Sequence, residues 1–358
     1  MEKNEIYLMY GEDGKAMITE LLEKINITSE ISGNPLIGIK PNLVTPKPSD
    51  SGATTDPEIV AGVIEYLQSN GFNNIIILEG AWHGASTKKA FDVCGYNKLS
   101  EKYKVPLFDL QQDKTKSFNV EGLEISVCSK ALEVDYMINM PVLKAHGQTI
   151  MTCALKNHKG CISDREKRRF HNIGLHKPVA YLNKIVRSDL IIVDGIIGDL
   201  SSEIGGNPVN TNRIIVGKDP VLVDTYVSEL MGIPLSDMEH IKIAYEIGVG
   251  STDLQKATIN ELNSGADVPD VETKIISFPQ RVVAENACSA CYGGLMHALT
   301  RLKEDGRLNN IDEKIYVGQA FKNKSENGIG IGACTSAFNK NVPGCPPSAK
   351  EIINLICS

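Results

Sequence analysis

The sequence predicts an α/β protein with a large domain, in which a mostly parallel sheet is flanked by helices, and a small C-terminal α/β domain. Apolar runs of strand length alternate with helical segments, and four cysteines at ligand-like spacings lie in the last quarter of the chain. A chain of 358 residues also exceeds the usual size of one compact core. We therefore expect two domains, residues 1–280 and 281–358.

The composition is that of an ordinary folded protein, with 42% hydrophobic and 23% charged residues. A formal net charge of -7 argues against nucleic acid as a general partner. The N-terminal residues lack the apolar run of a signal peptide or a membrane span. We expect a cytoplasmic protein that binds neither nucleic acid nor a membrane; no sequence signal indicates its oligomeric state.

A βαβ unit is predicted near the N-terminus, from a buried strand at residues 36–44, a helix at 57–69 that begins with an Asp-Pro pair, and a buried strand at 74–80. Such a unit implies a parallel sheet, and ligands of parallel sheets collect at the carboxyl ends of the strands. Three polar side chains lie at those ends, and we expect them to bind substrate: Lys40, Asn42 and Glu79.

Two later strands repeat the pattern, at residues 134–140 and 190–195, with a helix predicted between them at 149–160. Polar side chains again follow the strands or end the helix, so we expect them to share the site. We predict His146, Lys144 and Lys156 as catalytic residues and Asn157 and Asp194 as substrate-binding residues. Lysines also stabilise the C-terminal end of a helix, so a purely structural role remains open for those near residue 160.

The rest of the large domain carries fewer signals. The basic run at residues 164–171 is predicted as a solvated helix face or loop, with a mobile flap over an anion as the alternative. A strand and a helix are predicted over 214–231, surface connections over 247–270, and a strand at 274–278 before the domain boundary.

Five motifs occur in one order along the large domain, and together they resemble the prokaryotic domain-of-unknown-function family 362 over about residues 35–265. The motifs are Lys40-Pro41-Asn42, Asn139 to His146, Ala154 to Gly160, Val193-Asp194-Gly195 and Gly217 to Asp224. Members of this family are generally uncharacterised and are often joined to iron–sulfur modules. The resemblance therefore supports the large domain without naming a substrate.

The cysteines of the small domain have the spacing of metal ligands. Cys288 and Cys291 open a predicted helix, whereas Cys334 and Cys345 each lie in a glycine-rich turn that lets the backbone approach a bulky ligand. The arrangement resembles the cluster-binding pattern of the hydrogenase small subunit and related complex I subunits. That resemblance implies one [4Fe–4S] cluster on Cys288, Cys291, Cys334 and Cys345. A zinc site with four cysteine ligands and unligated or redox-active thiols are the alternatives.

Two functions from different classes follow. In the first, the protein is a redox enzyme that exchanges electrons between the cluster and an anionic small molecule. The lysines then neutralise the anion, the asparagines orient it, and His146 exchanges a proton. In the second, the chain is an electron-transfer subunit for a redox partner protein. A third option is phosphate chemistry on a divalent cation in a zinc-stabilised protein, with the cation held by Glu79, Asp194, Asp219 and Asp224.

Overall fold

The structure is a computed structural model that describes the chain except residues 201, 206, 266–270, 272–280, 286, 288, 309–310, 312 and 358. Its helices are α1 (Gly14–Ile25), α2 (Pro57–Ser69), α3 (Thr87–Val93), α4 (Tyr96–Tyr103), α5 (Ser129–Leu132), α6 (Ala154–Asn157), α7 (Asp164–Ile173), α8 (His176–Ile185), α9 (Pro220–Leu230), α10 (Glu239–Glu246), α11 (Ser289–Glu304) and α12 (Ala349–Ile356). Its strands are β1 (Glu5–Tyr10), β2 (Ile37–Pro41), β3 (Ile75–Glu79), β4 (Leu107–Asp109), β5 (Thr115–Val120), β6 (Leu123–Cys128), β7 (Tyr136–Met140), β8 (Val142–His146), β9 (Ile150–Thr152), β10 (Leu190–Asp199), β11 (Pro208–Gly217), β12 (Thr258–Glu261), β13 (Val282–Ala284), β14 (Ile315–Val317), β15 (Ile329–Ile331) and β16 (Lys340–Val342).

The larger sheet is mostly parallel, as predicted. Its main path runs β12-β1-β11-β10-β7-β2-β3-β4, with β8 paired to β10 and β9 paired to β8. The pairs from β10 through β7, β2 and β3 to β4 are all parallel, while β11 is antiparallel to both β1 and β10. The carboxyl ends of β2, β3 and β7 therefore meet at one edge of the sheet.

The predicted βαβ unit is confirmed. Every residue of β2 and β3 is buried, and helix α2 begins at Pro57 with Asp56 as its N-cap. The Asp56 carboxylate accepts the backbone N–H of Glu58 at 2.9 Å, which satisfies one of the free donors of the first turn. The apolar face of α2 packs in the main hydrophobic core with residues of α1, β2 and β3.

Two predictions for the large domain were wrong. Residues 149–160 do not form one helix, because strand β9 at Ile150–Thr152 precedes the short helix α6. Three of the four residues from Thr149 to Thr152 are β-branched and favour an extended chain. Residues 247–270 are not all surface connections, since β12 joins the sheet edge in parallel with β1. The strand predicted at 274–278 and the boundary near 280 lie outside the described residues.

The smaller sheet consists of β13, β14, β15 and β16, and all its pairs are parallel. Helix α11 follows β13 and buries the apolar positions that its spacing predicts, Leu295, Leu299 and Leu302, in the second hydrophobic core. Helix α12 adds Ile352 to this core and begins with a capping box formed by Ser348 and Glu351.

The chain divides into two compact units. The first comprises Met1–Ala145, Met151–Lys167 and His176–Thr273, and the second His146–Ile150, Arg168–Leu175 and Lys274–Ser358. Two short central segments thus belong to the unit that contains the C-terminal sheet. Within the described part of the chain, no helix combines the length and apolarity needed to cross a membrane.

Candidate functional sites

A buried ion pair lies at the carboxyl edge of the larger sheet. The Lys40 ammonium, at the end of β2, donates to Glu79 at the end of β3 over 2.9 Å, and neither side chain is more than 3% exposed. The Glu79 carboxylate also accepts the N–H groups of Leu43 at 3.0 Å and Gly80 at 2.7 Å. Because Lys40 donates further to the Pro41 carbonyl at 2.8 Å, this pair is closely held by the surrounding backbone.

Two asparagines extend this pair into a network. The Asn157 side-chain oxygen accepts from Lys40 at 3.3 Å and from the Asn42 amide at 3.0 Å. The Lys144 ammonium then donates to the Asn42 side-chain oxygen at 3.0 Å and to the Ala53 carbonyl. The structure therefore brings five predicted site residues together in one buried network: Lys40, Asn42, Glu79, Lys144 and Asn157.

Asn139 belongs to this network although the sequence did not single it out as a site residue. Its side-chain oxygen accepts the Asn157 amide at 2.8 Å, and its own amide donates to the Ala154 carbonyl at 3.0 Å. It lies on β7 directly opposite Lys40 in the parallel register of β2 and β7. That register would have been needed to find it.

Gly160 packs directly against the ion pair. A Cβ atom built at Gly160 would lie 2.0 Å from a Glu79 carboxylate oxygen and 2.6 Å from Cε of Lys40. A Cβ at Gly80 would in turn lie 2.6 Å from the Gly160 carbonyl oxygen. Only glycine at position 160 allows the segment after α6 to come this close to the sheet edge.

Two buried lysines, Lys144 and Lys156, have a lowered pKa. Burial lowers the pKa of Lys144 to about 7, and the nearby positive charge of Lys156 acts in the same direction. Burial also lowers the pKa of Lys156, against the opposing effect of Glu203. The Lys156 ammonium donates to the Thr152 hydroxyl at 3.3 Å and pairs with Glu203 at 3.4 Å. Glu203, in a polar turn without a sequence signal, was missed.

The two histidines of the predicted motifs, His146 and His158, have different hydrogen-bond partners. The ring Nδ1 of His146, at the end of β8, accepts the N–H groups of Gln148 and Thr149, both at 3.0 Å. This leaves the proton of the neutral ring on Nε2. His158 is fully buried between Asn183 at 2.8 Å and Ser188 at 3.2 Å, and burial lowers its pKa to about 3. His158 is therefore a neutral structural residue at physiological pH.

Two further carboxylates considered as site residues, Asp194 and Asp224, accept hydrogen bonds from backbone N–H groups. Asp194 accepts the N–H of Asp56 at 2.8 Å, which fixes the start of α2. Asp224 accepts the N–H groups of Ala154 at 2.7 Å and Leu155 at 3.1 Å, so it caps α6 from a neighbouring helix. Burial raises the pKa of Asp194 and of Asp224 to about 7.

The structure therefore does not gather these carboxylates into a cation site. Asp219 caps its own helix α9 by accepting the N–H groups of Val221 and Leu222, and Glu79 pairs with Lys40. Across the described residues, no group of three or more histidines, cysteines and acidic residues is arranged to hold a metal ion. Asp194 accepts its described hydrogen bonds from the backbone N–H groups of Asp56 and Ile196, not from the lysines of the buried network, which we call the lysine network.

The basic run forms helix α7 and is not a fully solvated face. The Lys167 ammonium is buried and donates to the carbonyls of Gly80 at 3.0 Å and Ala81 at 2.7 Å, just after β3. It also pairs with Asp164 at 3.4 Å. One lysine of this run therefore secures the loop that follows Glu79, a role that charge patterning did not reveal.

The cysteine-bearing segments follow three strands of the smaller sheet. Cys291 lies in the first turn of α11, which follows β13, while Cys334 follows β15 and Cys345 follows β16. A Cβ atom at Gly332, whose φ is +89°, would lie 3.1 Å from the Cys291 sulfur. The Ala333 N–H donates to the Gly344 carbonyl at 2.8 Å, which ties the two glycine turns together. Cys288 lies outside the described residues.

The family described as Domain of unknown function (DUF362) matches residues 37–229, which is more than half of the chain. The Thylakoid-associated protein sll1697 of Synechocystis sp. (strain ATCC 27184 / PCC 6803 / Kazusa) is 22% identical over 221 residues, covering 60% of this chain and 68% of that protein.

A solved structure, the lactate racemase apoprotein from Thermoanaerobacterium thermosaccharolyticum, aligns over 67% of this chain with 14% identity and a TM-score of 0.40. The chain spans 56% of the length of that structure.

Proposed function

The chain belongs to the DUF362 family, and we propose that it is an iron–sulfur protein whose cluster exchanges electrons with an anionic small molecule. Cys288, Cys291, Cys334 and Cys345 would hold a [4Fe–4S] cluster. Lys144 and Lys156 would neutralise the anion in the larger unit. Lys40, Asn42, Asn157 and Glu79 would form the scaffold that positions Lys144, because their hydrogen bonds are made to one another and to the backbone.

The observation that supports the cluster is that three of its four proposed ligands, Cys291, Cys334 and Cys345, follow strands of one sheet. Strands β13, β15 and β16 are parallel members of one sheet, so the segments that leave their carboxyl ends emerge on the same side. The missing side chain at Gly332 leaves room beside the Cys291 sulfur. Cys291 also lies near the N-terminus of α11, where free N–H groups favour an anionic ligand.

The four cysteines have the donor chemistry of a four-thiolate centre. When bound, a fully cysteine-ligated cluster would supply one-electron transfer. The protein would contribute the thiolates, the amides of the glycine turns, and an apolar surrounding in which Leu295, Val317 and Ile331 are buried. The three described cysteines form no complete ligand set by themselves, so Cys288 is needed for the proposal.

The carrier hypothesis is favoured by a different observation. Lys40 is 0% and Lys144 1% exposed, so the lysine network is closed in this structure. A chain with no substrate chemistry would use the network as a structural element and pass electrons to a redox partner protein. Lys144→Ala separates the two hypotheses: loss of turnover or ligand binding with normal cluster content supports the enzyme, whereas normal cluster content with retained electron transfer to the partner protein supports the carrier.

The cluster is tested by anaerobic purification with iron, sulfide and zinc analysis. We expect about four irons and four sulfides per chain and absorbance near 400 nm that dithionite bleaches. Cys345→Ser should lower the iron content, because it removes a thiolate. Cys357→Ser is the matched control, since Cys357 is also exposed but lies outside the motif. One zinc without colour, or equal iron loss in both variants, would refute the proposal.

A further inference from the structure

Glu203 is an acidic neighbour of three lysines in the larger unit, of which Lys144 and Lys156 are buried. Lys156 has a side chain only 8% exposed, whereas that of Glu203 is 26% exposed. Glu203 raises the pKa of Lys144, Lys156 and Lys159, although burial lowers the pKa of each of them. One carboxylate thus pairs with Lys156, favours the charged form of three lysines, and is itself partly exposed to solvent.

The contacts of Lys156 are loose in comparison with those of Lys40. Lys156 makes its described polar contacts at 3.3 Å with Thr152 and 3.4 Å with Glu203, while Lys40 makes two contacts at 2.8 and 2.9 Å. Charge-assisted N–H···O bonds normally measure about 2.7–2.9 Å. Glu203 therefore compensates the charge of Lys156 without the close geometry of a permanent buried pair.

The turn that carries Glu203 has a defined structure. The Asp199 carboxylate accepts the N–H groups of Ser202 at 2.8 Å and Asn207 at 2.9 Å, and the Lys47 ammonium donates to the Ile204 carbonyl at 2.8 Å. Gly205, at a φ of +71°, comes so close that a Cβ atom would lie 2.5 Å from the Ser51 carbonyl oxygen. These contacts hold the backbone on both sides of Glu203, while the Glu203 side chain itself pairs with Lys156 only at 3.4 Å.

We propose that the substrate of the larger unit is a small carboxylate, and that its carboxyl group binds Lys156 in place of the Glu203 side chain. This inference rests on the proposed function, in which these lysines hold the anion. The Glu203 carboxylate stands in for the substrate carboxylate, and its departure uncovers Lys156 from the solvent side. Lys144 supplies a second cation, while Asp199 holds backbone N–H groups and Glu79 pairs with Lys40.

The test is chemical rescue with acetate as the probe. Glu203→Ala removes the resident carboxylate and leaves Lys156 buried without it, so the Tm should fall. Acetate should then raise the Tm of this variant saturably and more than chloride at equal ionic strength. The double variant Glu203→Ala with Lys156→Gln is the matched control and should show no such rise.

Further measurements keep the inference refutable. If Glu203→Ala does not fold, Glu203→Gln retains the shape of the side chain and should gain an acetate effect that the wild type shows more weakly. A response to inorganic phosphate but not acetate, or an acetate effect that survives Lys156→Gln, overturns the inference. Iron content is measured on the same samples. If the Glu203 variants bind the expected iron but do not respond to acetate, this inference alone is refuted. If they respond to acetate but the protein binds no iron, the cluster alone is refuted.

Discussion

Removing the charge of Glu79 should destabilise the larger unit strongly, because it leaves Lys40 buried and uncompensated. The two side chains are 0% and 3% exposed and lie 2.9 Å apart. At an effective dielectric constant of about 20, two unit charges at that distance attract by about 6 kcal/mol. The cost of burying the charges offsets part of this attraction, and breaking such a pair costs about 3–5 kcal/mol. We therefore expect Glu79→Gln to lower the free energy of unfolding by about 3–5 kcal/mol.

The measurement is a double-mutant cycle in urea, with Glu79→Gln, Lys40→Met and the double variant. The double variant should lose less stability than the sum of the single variants, because it leaves no lone charge. Glu20→Gln is the control, since Glu20 pairs with Lys24 at a similar 3.0 Å but both side chains are about half exposed. The control should cost about 0.5 kcal/mol or less. Additive single effects, or a loss equal to that of the control, would refute the argument.

Two further predictions concern the same network. The pKa of Lys144 is about 7 in the folded protein, below its ordinary value of 10.5, so the unfolded chain binds more protons between these two pH values and the free energy of unfolding should rise with pH across that interval. Lys144→Met should flatten this rise when stability is measured by urea unfolding at several pH values. Equal slopes of stability against pH in the wild type and the variant would contradict the prediction. Gly160→Ala places a Cβ atom 2.0 Å from a Glu79 carboxylate oxygen and should lower the free energy of unfolding by about 3 kcal/mol or more. Gly293→Ala is the control, because no atom lies within 4 Å of its added Cβ, and it should lose little stability in the same thermal unfolding assay.

Much of the lysine network could be predicted because its members end strands. Lys40 and Glu79 close adjacent parallel strands, and the topology alone brings such residues to one edge. These expectations need only hydrophobic patterning and the rule for parallel connections. Cys334 and Cys345 were predicted in glycine-rich turns, but strand β16, which precedes Cys345, was not predicted.

Other parts of the site depend on tertiary contacts that local patterns do not contain. Asp224 looks like a first-turn residue of its own helix, yet it caps α6. Its place is decided by the packing of α9 on α6, which the sequence does not encode locally. Asp194 likewise anchors α2 instead of meeting the lysines. A buried carboxylate at a strand end therefore indicates a polar partner without indicating which one.

The division of the chain has a consequence for its synthesis. Segments His146–Ile150 and Arg168–Leu175 belong to the unit completed by Lys274–Ser358, so they leave the ribosome long before most of that unit exists. At translation rates of about 5–20 residues per second, the gap of about a hundred residues takes roughly 5–20 s. A fragment that starts at residue 281 would lack both segments. We therefore expect that fragment to be less stable than the same residues within the full chain.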